Sequence, residues 1–167
     1  NAGLGTLSVL YVGGLIGVLL ELRWANPGGL TALLSLIAVV KLSDVGQYFA
    51  GKTCGRHRLA PRLSPGKTWE GLAGGMAMAV VGAFLLTPWL GPTTLSRVCS
   101  CLAMAAAGVA GDLAESLLKR DAGVKDSSHW MPGFGGVLDL LDSVLAAGPV
   151  AYVCWTAGWM QAAGPLD

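Results

Sequence analysis

Five apolar stretches, each close to the roughly 20 residues that a helix needs to cross a hydrocarbon core, set the frame for any fold of this chain. They run from about Leu4 to Leu20, Gly29 to Ala50, Trp69 to Leu90, Leu95 to Leu118 and Gly136 to Ala157. The runs are too long and unbroken for strands, and the strict alternation of a membrane barrel is absent. The expected fold is therefore all-α, a polytopic membrane helix bundle of five spans. Composition agrees: 53% of residues are hydrophobic, only 13% are charged and mean hydropathy is +0.60, outside the range of an average soluble domain.

The connections are unequal. Two are short and nearly uncharged, around Glu21 to Pro27 and Gly91 to Thr94, whereas Gly51 to Thr68 and Lys119 to Gly135 are long and basic. The basic pair holds Lys52, Arg56, Arg58, Arg62, Lys67, Lys119, Arg120 and Lys125, eight of the eleven Lys and Arg. By the positive-inside rule both face the cytoplasm, which puts the amino terminus inside and the carboxyl terminus outside. Pro88 and Pro92 bracket one outer turn, while Pro61, Pro65 and Pro132 sit in the inner loops where no helix needs to continue. Small residues recur every four positions at Gly13 and Gly17, at Gly71 and Gly75, and at Ala103, Ala107 and Gly111, a spacing that lets helix backbones approach closely in lipid.

A net charge of +1 says nothing about nucleic acid, but no basic patch is interleaved with aromatics as a single-strand binder requires, so no nucleic-acid partner is expected. Cys54, Cys99, Cys101 and Cys154 show no CxxC or histidine spacing, so plain thiols are expected rather than a disulfide framework or a zinc site. The opening residues lack the basic segment and small-residue cleavage site of a signal peptide.

Against this apolar background the carboxylates are conspicuous. Each ionisable group at mid-bilayer costs roughly 2.5 to 3.5 kcal/mol, so Asp112, Glu115, Asp139 and Asp142 need cationic compensation. On a helix Asp112, Glu115, Ser116 and Lys119 fall at i, i+3, i+4 and i+7 and share one face; Asp139, Asp142 and Ser143 repeat the first three offsets on the last span. Such carboxylates, drawn from two spans, suit an oxygen cage for Mg²⁺, or bridges between Asp112 or Glu115 and Lys119 or Arg120. Lys41, Asp44 and Tyr48 share a face near the end of the second span, where Asp44 and Lys41 form a possible pair. The following loop supplies Lys52, Arg56, Arg58, Arg62 and Lys67, and Ser64-Pro65-Gly66-Lys67-Thr68-Trp69-Glu70-Gly71 offers hydroxyls, amides and a lysine just before a helix start, where anions are favoured. These cations also suit a plain topological role against anionic headgroups.

Gly46 to Thr53 fits the G-x-x-x-x-G-K-[ST] phosphate-loop pattern letter for letter, but the octet closes an apolar helix instead of following a strand, so it is not read as that loop. His57 and His129 are single loop histidines without an i+4 partner, expected to be solvated or to touch headgroups.

Together these segments resemble the phosphatidate cytidylyltransferase, or CDP-diacylglycerol synthase, family. Its signature, S-x-x-K-R-x4-K-D followed by a Pro-Gly-His-Gly-Gly turn and D-R-x-D, is met by Ser116, Lys119, Arg120, Lys125 and Asp126, by Pro132-Gly133-Phe134-Gly135-Gly136, and by Asp139-Leu140-Leu141-Asp142. An upstream pattern is met by Asp44, Tyr48, Gly51-Lys52 and Ser64 to Gly71, so the resemblance covers about residues 40 to 145. Phe134 replaces a family His and Leu140 a family Arg, which removes two polar contacts while every carboxylate survives.

The resemblance implies a single membrane-embedded catalytic domain over residues 1–167, lacking the amino-terminal spans usual in the family. It implies conversion of CTP and phosphatidate to CDP-diacylglycerol and pyrophosphate at the cytoplasmic side of a bacterial-type inner membrane. Catalytic roles would fall to Asp112, Lys119, Arg120, Lys125, Asp126, Asp139 and Asp142, substrate contacts to Asp44, Lys52, Ser64, Lys67, Thr68, Glu70 and Ser116, and metal ligation to Asp112, Glu115, Asp139 and Asp142. Mg²⁺ or another divalent ion is the implied cofactor, with a second, monovalent cation as a further candidate; the implied partners are the lipid bilayer and a second copy in a homodimer, with no nucleic acid. The competing readings are a cytidylyltransferase or CTP-dependent kinase acting on an ether-lipid phosphate or polyprenol, and an inactive scaffold or transporter.

Overall fold

The computed structural model describes residues 2–24, 28–61, 63–86, 90, 93–121, 123 and 137–160, with side chains from residue 9 onward and, in the last helix, from residue 141. Five helices appear where five apolar runs were expected: α1 (Ala2–Trp24), α2 (Gly29–Cys54), α3 (Trp69–Leu85), α4 (Thr94–Asp121) and α5 (Val137–Thr156). By length and composition α2 and α4 are apolar enough to cross a membrane, with mean hydropathy of 1.6 and 1.4, and α3 is a shorter apolar helix. The third helix stops at Leu85, short of the predicted Leu90, although the sequence stays apolar past that point. Apolarity marks burial or lipid contact, not helix length.

One element departs from an all-α fold. The first basic loop contains an antiparallel hairpin, β1 (Arg58–Ala60) and β2 (Ser64–Thr68), with Arg58 opposite Thr68 and Ala60 opposite Ser64. Its five-residue strand Ser64-Pro65-Gly66-Lys67-Thr68 carries no apolar alternation, so nothing local announces a strand. The Arg58 guanidinium donates to the Pro65 carbonyl across the hairpin.

Packing is built around α2, which touches every other helix, while α4 lies along α5 and α1 along α5. Leu36, Val39, Val40, Ala79, Met104, Ala105, Val144 and Ala147 fill the centre. The α2–α3 contact is close enough for backbones to meet: a Cβ on Gly74 would stand 2.3 Å from Ala50 Cβ, and one on Gly46 2.6 Å from the Gly74 carbonyl oxygen. Of the predicted small-residue pairs, Gly71 and Gly75 face α2 in this way and Gly111 faces α5, whereas Gly13 and Gly17 have nothing within 4 Å. Thr68 ends the hairpin and caps α3, its hydroxyl accepting from Gly71 N at 3.0 Å. Large apolar side chains including Leu10, Ile16, Val81, Phe84 and Val153 stay exposed, as suits a hydrocarbon surrounding. Cys54, Cys99, Cys101 and Cys154 are free thiols, as expected.

Candidate active site

At the hairpin end of the bundle the lower halves of α2, α4 and α5 converge with β2 around a cavity of about 350 Å³. Three lysines line it, Lys41 from α2, Lys67 from β2 and Lys119 from α4. Four carboxylates join them, Asp44 from α2, Asp112 and Glu115 from α4, and Asp142 from α5, with Gln47, Tyr48, Thr68 and Ser143 completing the polar wall. The helical offsets explain this convergence. On α4 the i, i+3 and i+7 positions hold Asp112, Glu115 and Lys119 on one face, and on α2 Lys41, Asp44 and Tyr48 do the same.

Each lysine meets a carboxylate. Lys67 Nζ stands 2.5 Å from Asp112 Oδ2, Lys41 Nζ donates to Asp44 Oδ2 at 3.0 Å, and Lys119 Nζ lies 3.4 Å from Glu115 Oε2. The second and third are the local pairs that helix spacing allows. The first joins the hairpin to α4 across the cavity and was not deducible from spacing. Lys67 Nζ is fully buried and, apart from that ion pair, has no hydrogen-bond acceptor among the described residues, although an ammonium carries three donors. Asp142, 7% exposed, is oriented by its neighbour: Oδ1 accepts from Ser143 N at 2.6 Å and from Ser143 Oγ at 3.1 Å.

Oxygen donors from three helices facing one cavity have the chemistry that a hard divalent ion takes. In the described arrangement no three of His, Cys, Asp or Glu stand close enough to hold one ion. Asp112 and Glu115 are each held by a lysine, and the side chain of Asp139 lies outside the described residues.

Of the substrate contacts expected from sequence, Asp44, Lys67 and Thr68 line the cavity, while Lys52, Ser64, Glu70 and Ser116 are not among its lining residues, nor is Arg120. Lys52 instead turns back to Tyr48, donating to its hydroxyl at 3.2 Å and lying 5.4 Å from the ring centre. Lys125, Asp126, His129 and the Pro132 to Gly136 turn with Phe134 lie outside the described residues, as do Arg62 and the side chain of Leu140. The octet Gly46 to Thr53 is helical throughout, within α2, which excludes a phosphate-loop geometry for it.

His57 has a partner that its lone position did not suggest. Its Nδ1 donates to Glu70 Oε1 at 2.6 Å. The legible signal was a carboxylate in the first turn of a helix, where it can turn back toward amides that precede the helix.

Comparison with known proteins gives these residues a context. The sequence profile of the Cytidylyltransferase family matches residues 1–157. A phosphatidate cytidylyltransferase of Pseudomonas aeruginosa is 43% identical over 147 residues, which cover 86% of this chain and 54% of that protein. Proteins of the same name from Haemophilus influenzae, 42% identical over 83% of this chain and 51% of their own length, and from Bacillus subtilis, 40% identical over 91% and 57%, are similar in the same way. The chain spans about half the length of these curated relatives.

Proposed function

Because this chain belongs to the cytidylyltransferase family, we propose that it is a membrane-embedded nucleotidyltransferase that joins phosphatidate to CTP, giving CDP-diacylglycerol and pyrophosphate. The observation that carries this reading is the buried Lys67 ammonium, which faces a cavity lined by carboxylates and has donors to spare for a phosphate.

In the reaction an oxygen of the lipid phosphate attacks the α-phosphorus of CTP, the bond to the β-phosphate bridging oxygen breaks, and pyrophosphate leaves. Both reactants are polyanions, so their mutual repulsion is the main obstacle. Lys41, Lys67 and Lys119 neutralise phosphate charge as they exchange their carboxylate partners for phosphate oxygens, and Arg120, Lys125 and Asp126 are assigned to the same task by the family signature alone. A divalent ion, when bound, supplies the remaining charge neutralisation; Asp112, Glu115, Asp139 and Asp142 would hold it, with Mg²⁺ as the natural choice. Asp142 lines the cavity with its Oδ1 accepting from Ser143, which supports counting it in that set. A phosphate dianion is itself a competent attacker near neutral pH, so the chemistry asks for no protein nucleophile.

Five helices crossing the bilayer, with the hairpin and the carboxyl end of α4 on the cytoplasmic side, would set this cavity at the inner interface, where a headgroup arrives from the membrane and CTP from the cytosol. The test is incubation of the purified chain in lipid nanodiscs with labelled CTP, phosphatidate and Mg²⁺. Label in the lipid phase is expected, and its absence overturns the reading; label only with an ether-lipid phosphate or polyprenol phosphate corrects the acceptor. Lys67→Ala should raise the KM for CTP by about tenfold or more, the worth of one charge-assisted hydrogen bond. An unchanged KM would remove Lys67 from the nucleotide site.

A further inference from the structure

Glu70 lies in sequence between Thr68 and Gly71, which line the cavity, yet does not line it, and what it does instead is specific. Its Oε2 accepts from the backbone amides of Arg56 at 3.1 Å and His57 at 3.2 Å, and its Oε1 accepts from His57 Nδ1 at 2.6 Å. The His57 carbonyl in turn accepts from Trp69 N at 3.0 Å. Residues 56–57, which lead into β1, are thus tied to residues 69–70, which follow β2. The hairpin is closed at its base by one carboxylate and one backbone bond. A two-stranded hairpin of this size is marginal by itself in water, so its place must be set by such attachments. Between the two attachment points lies Lys67, whose ammonium reaches Asp112 on α4. Gly55 completes the seat, since a Cβ there would stand 2.9 Å from Thr68 Cγ2 and closer still to the Gly51 carbonyl oxygen.

We infer that Glu70 is a positioning residue, which acts on the substrate only through Lys67 by latching the base of the hairpin that carries it. The inference deepens the reading above and rests on Lys67 being a nucleotide contact. A carboxylate is what the position needs, because three N–H donors converge on it and it has no proton of its own to oppose them. Glutamine keeps one acceptor oxygen and places an NH2 where the other stood. Alanine keeps neither.

The experiment measures kcat and the KM for CTP in four variants of the full chain in nanodiscs, Glu70→Gln, Glu70→Ala, Lys67→Ala and the double Glu70→Ala/Lys67→Ala. The latch requires Glu70→Ala to raise KM by a factor close to that of Lys67→Ala, about tenfold, with the smaller change in kcat. It also requires Glu70→Gln to fall between Glu70→Ala and the parent chain, and the double variant to be no worse than Lys67→Ala alone. Multiplying effects in the double variant would mean that Glu70 acts independently of Lys67, and would overturn the inference. Backbone hydrogen exchange at Arg56 and His57 gives a second readout that needs no turnover. Faster exchange in Glu70→Ala than in the parent chain supports the latch, and unchanged exchange refutes it. If Lys67→Ala leaves the KM for CTP unaltered, the nucleotide-site reading is what fails, and the exchange rates still decide whether Glu70 holds the hairpin.

Discussion

Asp112→Asn is expected to lower CTP-dependent turnover by about 10²- to 10³-fold, the scale seen when one preorganised electrostatic contact to a reacting centre is removed, while tightening the binding of pyrophosphate in the presence of a chelator. The two effects have opposite signs because Asp112 pairs with Lys67 and, under the proposed function, would also hold a divalent ion. As described it neutralises Lys67 at 2.5 Å, and Lys41 and Lys119 are held in the same manner by Asp44 and Glu115. An anion that arrives alone must displace these carboxylates from their lysines and then lie beside the uncompensated charge. An anion arriving with a divalent ion would meet no such penalty, since carboxylate and lysine would each gain a new partner. Asparagine matches the shape of Asp112 without its charge, so Lys67 is released to a phosphate even without metal. A gain of roughly tenfold in metal-free affinity corresponds to one additional charge-assisted hydrogen bond, and titration calorimetry with pyrophosphate in EDTA measures it. Metal-free binding that stays the same or weakens would show that Lys67 is not a phosphate contact, and parental turnover would remove Asp112 from the site.

That opposition of charges was only half legible from sequence. Helical spacing placed Asp112, Glu115 and Lys119 on one face and Lys41 with Asp44 on another, because a helix fixes the angle between residues a few positions apart. It carries no information on which helices face each other, so the Lys67–Asp112 bridge between distant segments stayed hidden. The five apolar runs located the helices for a related reason: period and length are local quantities. The hairpin escaped because its place is fixed by contacts between distant residues, by Glu70 reaching back to Arg56 and His57 and by Thr68, the last residue of β2, packed against Gly51 and Gly55. Glu70 itself was expected among the substrate contacts through its place in the Ser64 to Gly71 pattern; in the fold its carboxylate accepts from Arg56 and His57. A pattern of residues identifies a site without stating which member touches the ligand and which holds the others.

Gly111→Ala should damage both stability and turnover, and a compensating change elsewhere should recover part of each. Gly111 is buried on α4 one residue before Asp112, and an added Cβ would lie 2.2 Å from Ala146 Cβ and 3.0 Å from the Asp142 carbonyl oxygen, both on α5. Neither neighbour is the end of a flexible side chain, so relief requires α4 and α5 to separate. Overpacking of this kind costs about 1–3 kcal/mol, more than the roughly 1 kcal/mol that alanine gains over glycine in a helix interior. The separation widens the gap between the Asp112 and Asp142 faces, so turnover should fall together with the thermal midpoint of the protein in detergent. In Gly111→Ala/Ala146→Gly the closest clash disappears while the 3.0 Å contact with the Asp142 carbonyl remains. Both readouts should therefore rise above the single variant without reaching the parent chain. Were Gly111→Ala to retain parental stability and turnover, α4 and α5 could not lie as close as described, and the joint cavity of Asp112 and Asp142 would lose its structural basis.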